Sequence, residues 1–284
     1  MAWQYVVVVS SDQPEYLGIA PLTGTGSAMS AAEYALWRAE HTWAPSPGCG
    51  LVIQNDLAPA AWIEPLLVPD SVQVQALVPR GFAAYARVFF PFPGDDIVAD
   101  GEVIDQEHIS WTEMARRNGR TAHALMEAQT ILAGPDKGKY GGAGRGFLAE
   151  EQFDALLPIL SRHTSCSDSW FLLWNGFGNL YEPAFSQLGA ELRHPVRDYY
   201  LLHGPHQSYA SFPDDPNYWW PEDRAWCVVT DTDFDWAYVA GTAECIEEIL
   251  AVPVIDAYLT RPENPAHAWM DVLNDPGGII PRMP

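Results

Sequence analysis

The stretch Tyr218-Trp219-Trp220-Pro221-Glu222-Asp223-Arg224-Ala225-Trp226-Cys227, running on into Thr230-Asp231-Thr232-Asp233-Phe234-Asp235-Trp236, decides how this chain is read. Between positions 218 and 236 it places four tryptophans and five carboxylates, with Arg224 as the one cation. Ala225–Thr230 and Trp236–Ala240 are rich in β-branched and aromatic residues and read as strands. A buried indole needs an apolar slot and a partner for its N–H. Such density therefore marks either a packed seam or a binding surface with aromatic walls and acidic rims. Adjacent side chains in an extended segment point opposite ways, so Trp219 and Trp220 are hard to bury together unless something covers the loop they sit on. At least one of them is expected to anchor a partner, with Glu222, Asp223, Arg224 and Trp226 completing the surface.

Working outward, further strands are expected at Tyr5–Val9, Gly50–Gln54, Val72–Val78, Phe82–Phe90, Ser169–Trp174 and Tyr199–His203. Ser30-Ala-Ala-Glu33 and Ser110-Trp-Thr-Glu113 are capping boxes that open helices, the second ending at Gly119. Thr121–Leu132 also reads as helical. Phe153, Leu156, Leu157 and Leu160 share one helical face, with Pro158 as a kink, and Thr242 caps a last helix. Asp95 to Glu107 holds six carboxylates and no cation and reads as a solvated loop, while Gly134–Gly146 reads as a flexible linker. Helices and strands mix without βαβ alternation, which predicts an α+β fold with a mixed or antiparallel sheet and packed helices. Residues 1–75 are expected as an N-terminal portion or small subdomain, and 76–284 as the main domain.

The charge is lopsided: 37 acidic residues against 15 basic give a formal net charge of −22 over 284 residues. Such a field repels nucleic acid and anionic membranes and attracts basic proteins. Cys49, Cys166, Cys227 and Cys245 lie far apart with no CxxC spacing, as in a reduced protein with buried thiols. The N-terminal apolar run is too short for a signal peptide, and a cytoplasmic location is expected.

Several segments together carry a resemblance. They are Gly81-Phe-Ala-Ala-Tyr-Ala-Arg-Val88, Trp111-Thr-Glu-Met-Ala115, Gly119-Arg-Thr-Ala-His123, His163-Thr164 with Trp170-Phe171, Trp174-Asn-Gly-Phe-Gly178, Arg197-Asp-Tyr-Tyr-Leu-Leu202 and Trp220-Pro-Glu-Asp-Arg-Ala-Trp-Cys227. In order and spacing the chain resembles a widespread family of uncharacterised actinobacterial proteins over roughly residues 80–260. It departs from that pattern at Phe90-Pro91, where the family carries His-Pro, and at Ser169, where the family tends to carry cysteine. The resemblance implies no mechanism.

Candidate chemistry is sparse. In a strand, Asp231, Asp233 and Asp235 would share one face and could hold a divalent cation, but Trp236 and Thr242 occupy the glycine and glutamate positions of an EF-hand loop. His163 with Cys166, and His203 with His206, offer zinc ligands only if the pairs meet. Glu222 and Asp223 near His203 or His206 could serve acid–base chemistry. GxSxG and P-loop patterns are absent from the sequence, and no metal or cofactor is expected. The expected function is non-catalytic binding of a basic protein, such as a basic toxin or a nuclease, through the tryptophan-rich acidic surface. The alternative is a hydrolase of small or carbohydrate-like substrates using Glu222, Asp223 and Asp231, which requires a concave pocket joining them to a histidine. A third reading is a self-associating structural protein with exposed tryptophans at a symmetric interface.

Overall fold

A computed structural model describes residues 5–9, 16–21, 43–46, 48–99, 102–134, 143, 148–177, 180, 185, 189–193, 197–267 and 269–275. The expected helix at Ser30 and most of the 134–146 linker lie outside them. In chain order the strands are β1 (Tyr5–Val9), β2 (Tyr16–Pro21), β3 (Val52–Ile53), β4 (Ala84–Phe89), β5 (Phe92–Ala99), β6 (Glu102–Ile109) and β7 (Asp168–Trp174). They continue with β8 (Glu191–Arg193), β9 (Asp198–Pro205), β10 (Tyr218–Pro221), β11 (Cys227–Thr230), β12 (Trp236–Gly241) and β13 (Ala257–Thr260). The helices are α1 (Trp111–Arg117), α2 (Ala128–Ile131), α3 (Glu150–Arg162) and α4 (Ala243–Leu250). The fold is α+β, as the mixture of periods predicts.

Nine strands form one sheet in the order β13-β4-β12-β11-β10-β7-β9-β3, with β8 also on β9. Its pairings are antiparallel. Side chains alternate between its two faces, and both faces are covered. One face carries Phe171, Trp219, Val228 and Val239 against Phe153, Leu156 and Leu160 of α3 and Ile246 and Ile249 of α4. The other carries Leu172, Trp220, Val229 and Tyr238 against Ile63, Val74, Trp111, Met126 and Met270. The chain from Leu51 to Val74 is thus part of this body: β3 pairs with β9, and Ala60, Ile63, Leu67 and Val74 lie in the same buried cluster as Trp220. The expected boundary at residue 75 falls inside a continuous core.

The caps act as predicted. Ser110 Oγ accepts from the Glu113 N–H at 3.1 Å, and Thr242 Oγ1 from the Cys245 N–H at 3.1 Å. Four local readings need correction. Val72–Val78 forms a 3₁₀ turn at Val74–Ala76 rather than a strand, because its amides bond outward to Asn264 and Pro262. In Thr121–Leu132 only Ala128–Ile131 is helical. Tyr218–Pro221 is a strand and not a loop, paired with β7 and β11. The acidic run from Asp95 to Glu107 belongs to the hairpin β5–β6, which forms its own two-stranded sheet.

The entry to α3 carries a titratable contact. Asp215 Oδ2 accepts the Leu148 N–H at 2.6 Å, and burial pushes this carboxyl up to about 7 from an ordinary 3.8. Between those values the native state holds a proton that the unfolded chain has released, so stability falls as pH rises through the window. Asp215→Asn is expected to match the wild type near pH 4 and to exceed it above pH 7. The expected gain is on the order of 2–4 kcal/mol, the lower figure reflecting that Asp215 is only half-buried. Urea unfolding at several pH values checks this, and parallel curves for the two proteins would refute it.

Candidate functional site

The structure packs the three tryptophans of the expected binding surface into the core and leaves Glu222, Asp223 and Arg224 exposed on the turn after β10. Trp219, Trp220 and Trp226 are 0%, 1% and 0% exposed. The two-sidedness of an extended pair holds, with Trp219 on one face of the sheet and Trp220 on the other. The expectation of an exposed anchor fails because each face has its own cover. Trp219 Nε1 donates to Ser169 Oγ at 2.9 Å and Trp226 Nε1 to the Leu160 carbonyl at 2.8 Å.

The charged neighbours of these tryptophans are occupied in structural roles. Asp223 accepts from Thr164 Oγ1, from the amide and hydroxyl of Ser165, and from the Ala225 amide, all within 3.1 Å. Burial pushes the Asp223 carboxyl up, but these hydrogen bonds outweigh it and hold the group below its ordinary value. They stabilise a turn in which Arg224 takes a left-handed φ of 56°. Arg224 lies 5.4 Å from the Trp62 ring centre, a cation–π arrangement. Glu222 Oε1 lies 3.2 Å from His203 Nε2.

The aspartate triplet is a turn between β11 and β12 and not a strand face. Arg197 Nη2 bonds Asp231 at 2.9 Å and Asp233 at 2.7 Å, while its guanidinium lies 4.4 Å from the Trp174 ring. A guanidinium therefore neutralises two of the three carboxylates. Among the described residues no cluster of three histidine, cysteine, aspartate or glutamate side chains is arranged to hold a metal ion. His203 packs tilted against Trp170 with ring centres 4.2 Å apart, on the Trp220 side of the sheet, whereas His206 packs against Trp226 on the Trp219 side. The two histidines cannot share a ligand.

His206 belongs to a sealed network. Its Nε2 faces the Cys166 carbonyl at 2.8 Å, which only accepts, so Nε2 carries the proton and Nδ1 accepts from the Ser169 hydroxyl at 2.6 Å. Ser169 and His206 are 0% and 4% exposed, out of reach of substrate. A second polar cluster, which the sequence reading missed, lies on the opposite face. Asp271 accepts from His123 Nε2 at 2.8 Å, from the Asn274 amide at 3.0 Å and from Thr130 Oγ1. Burial raises the Asp271 carboxyl, but these bonds outweigh it and hold the group well below the usual carboxylate range. Glu127 accepts the Trp269 amide at 2.8 Å. Facing these acids is Arg87, fully buried on β4.

Among the described residues, two solvent-exposed features lie outside every site expected from the sequence. The β5–β6 hairpin exposes Ile97 (44%) and Val98 (58%) beside Asp95 and Asp96. At its foot a cavity of about 240 Å³ lies between β6, α1, α3 and the segment after α4. There His108 Nδ1 sits 2.5 Å from Glu151 Oε1, and Glu107, Glu113, Arg117 and Asp256 line the same cavity. Neither this cavity nor the grooves at Arg80–Asn264 and Glu127–Trp236 is lined by Glu222, Asp223 or Asp231. Among the described residues no helix is long and apolar enough to cross a membrane. No protein-family model, curated protein or solved structure matches this chain.

Proposed function

We propose that this chain binds a basic protein partner through the acidic β5–β6 hairpin. The observation that carries the reading is a two-stranded ribbon outside the nine-stranded sheet, with Ile97 and Val98 exposed among carboxylates. A lone hairpin is marginal in water, and an apolar pair beside the exposed Asp95 and Asp96 suits an interface anchor with a steering rim. The formal charge of −22 makes cationic proteins the favoured partners over nucleic acid. The ribbon is tightly built at its base: a Cβ on Gly94 would come within 2.9 Å of both the Glu107 Cβ and its carbonyl oxygen. The binding surface is thereby assigned to the hairpin instead of the buried Trp219–Trp226 seam.

The test is paired capture from the lysate of the organism that makes the protein. Wild type is compared with a variant carrying Asp95→Asn, Asp96→Asn, Ile97→Ser and Val98→Ser, at low and high salt. The wild type is expected to retain a basic polypeptide that the variant binds at least about tenfold more weakly, since truncating a central anchor costs about 2 kcal/mol or more. Retention should also fall steeply with salt. Identical capture by both proteins would remove the hairpin from consideration.

A further inference from the structure

We propose that His108 and Glu151 form a general-base dyad that hydrolyses a small neutral or cationic ester in the cavity at the foot of the hairpin. This goes beyond the partner-binding reading and is independent of it. The geometry starts from the 2.5 Å contact between His108 Nδ1 and Glu151 Oε1. An ionised carboxylate only accepts, so Nδ1 carries the proton, and the neutral imidazole leaves its lone pair on Nε2. No described residue supplies a partner for that nitrogen. Glu151 is thus the positioning residue, fixing tautomer and ring orientation, and His108 is the catalytic base.

Three elements hold this pair around one space. His108 is the penultimate residue of β6, Glu151 stands in the first turn of α3, and α1 contributes Glu113 and Arg117 to the wall. The cavity volume of about 240 Å³ is below the roughly 300 Å³ at which pockets begin to enclose drug-sized ligands, so the substrate is small. Glu107 from β6, Glu113 from α1 and Asp256 from the segment after α4 are acidic walls and disfavour anionic substrates. Phe89, Ile109 and Val254 supply apolar contact.

In the reaction, His108 Nε2 takes a proton from water as the water oxygen bonds to the carbonyl carbon. Arg117, whose Nε also bonds Glu113 at 2.9 Å, carries the positive charge that faces the developing oxyanion. Collapse breaks the carbon–alkoxy bond, and the alkoxide recovers the proton from the imidazolium. One water is consumed, and an acid and an alcohol are released.

The test is hydrolysis of p-nitrophenyl acetate by wild type, His108→Ala, Glu151→Gln and His203→Ala. His203 is the control because it also meets a carboxylate, Glu222, but through Nε2 and outside this cavity. The wild type is expected to exceed the buffer rate, with His108→Ala slower by about 100-fold or more and His203→Ala unchanged. Glu151→Gln should lower kcat with KM close to that of the wild type, and Glu151→Asp should recover part of the rate, a split that loss of a merely structural contact would not produce. A carboxylate-bearing ester with the same leaving group should react more slowly. His108→Ala should retain the basic partner as the wild type does, so this proposal and the binding proposal fail separately. Equal rates for wild type and His108→Ala, or a wild type no faster than buffer, would overturn it.

Discussion

Replacing Trp219 by alanine is expected to destabilise the protein by about 3–5 kcal/mol, the range for truncating a large buried aromatic. Against a typical domain stability of about 5–15 kcal/mol, that loss leaves a marginal protein. Trp219 is fully buried and packs on Tyr209 and Trp226 at ring separations of 4.7 and 4.9 Å, with Phe171 stacked at 6.2 Å. Removing the indole opens a cavity where the sheet meets α3 and deprives Ser169 of its donor, one link of the chain through His206 to the Cys166 carbonyl. Trp219→Phe keeps most of the volume and loses the N–H, for an expected cost of about 1–2 kcal/mol. Denaturant midpoints at unchanged slope measure both. A change below about 1 kcal/mol in the alanine variant is what an exposed anchor would give, and would contradict the burial of Trp219.

Arg87→Ala is expected to cost about 2–5 kcal/mol, because it empties a fully buried site of a long side chain packed on two rings and removes the cation whose field reaches Glu127, Asp235 and Asp271. The guanidinium lies 3.6 Å from the centre of the Trp236 ring and 4.5 Å from that of Phe89. Its Nη1 donates to the Ala124 carbonyl at 2.7 Å, while Nε and Nη2 meet no protein partner among the described residues. Burial lowers its pKa to about 10, against the upward pull of Tyr238, Glu127, Asp235 and Asp271; the group therefore stays charged at neutral pH. Arg87→Met restores packing without charge and should recover part of the loss, while Arg87→Lys should behave as a poor substitute, since a point charge does not stack on two rings as a planar guanidinium does. Stability of Arg87→Ala within 1 kcal/mol of wild type would show that these acids need no cation at neutral pH.

The legible parts of this fold were those with local physics. Ser110 and Thr242 cap their helices because a hydroxyl three residues before an amide reaches it whatever the surroundings. The strands β4, β7, β9, β11 and β12 stand out because β-branched and aromatic residues crowd them. The β5–β6 hairpin was hidden because its carboxylates mimic a solvated loop, and strand β10 because it is four residues long and ends in proline. His123 and Asp271 lie 148 positions apart, and His108 and Glu151 lie 43 apart, so no spacing rule connects them.

By itself the sequence determined the α+β class, the starts of α1 and α4, the net acidity, and the opposite pointing of Trp219 and Trp220. Only the tertiary structure decided that both indoles are buried, that Asp231 and Asp233 serve Arg197, and that Ile97 and Val98 stand exposed on a ribbon outside the main sheet. The division follows the reach of the forces. Alternation and capping act within a few residues, whereas burial is settled by what packs on each face of the sheet, and here α3 and α4 cover one face while segments 58–78 and 111–131 cover the other.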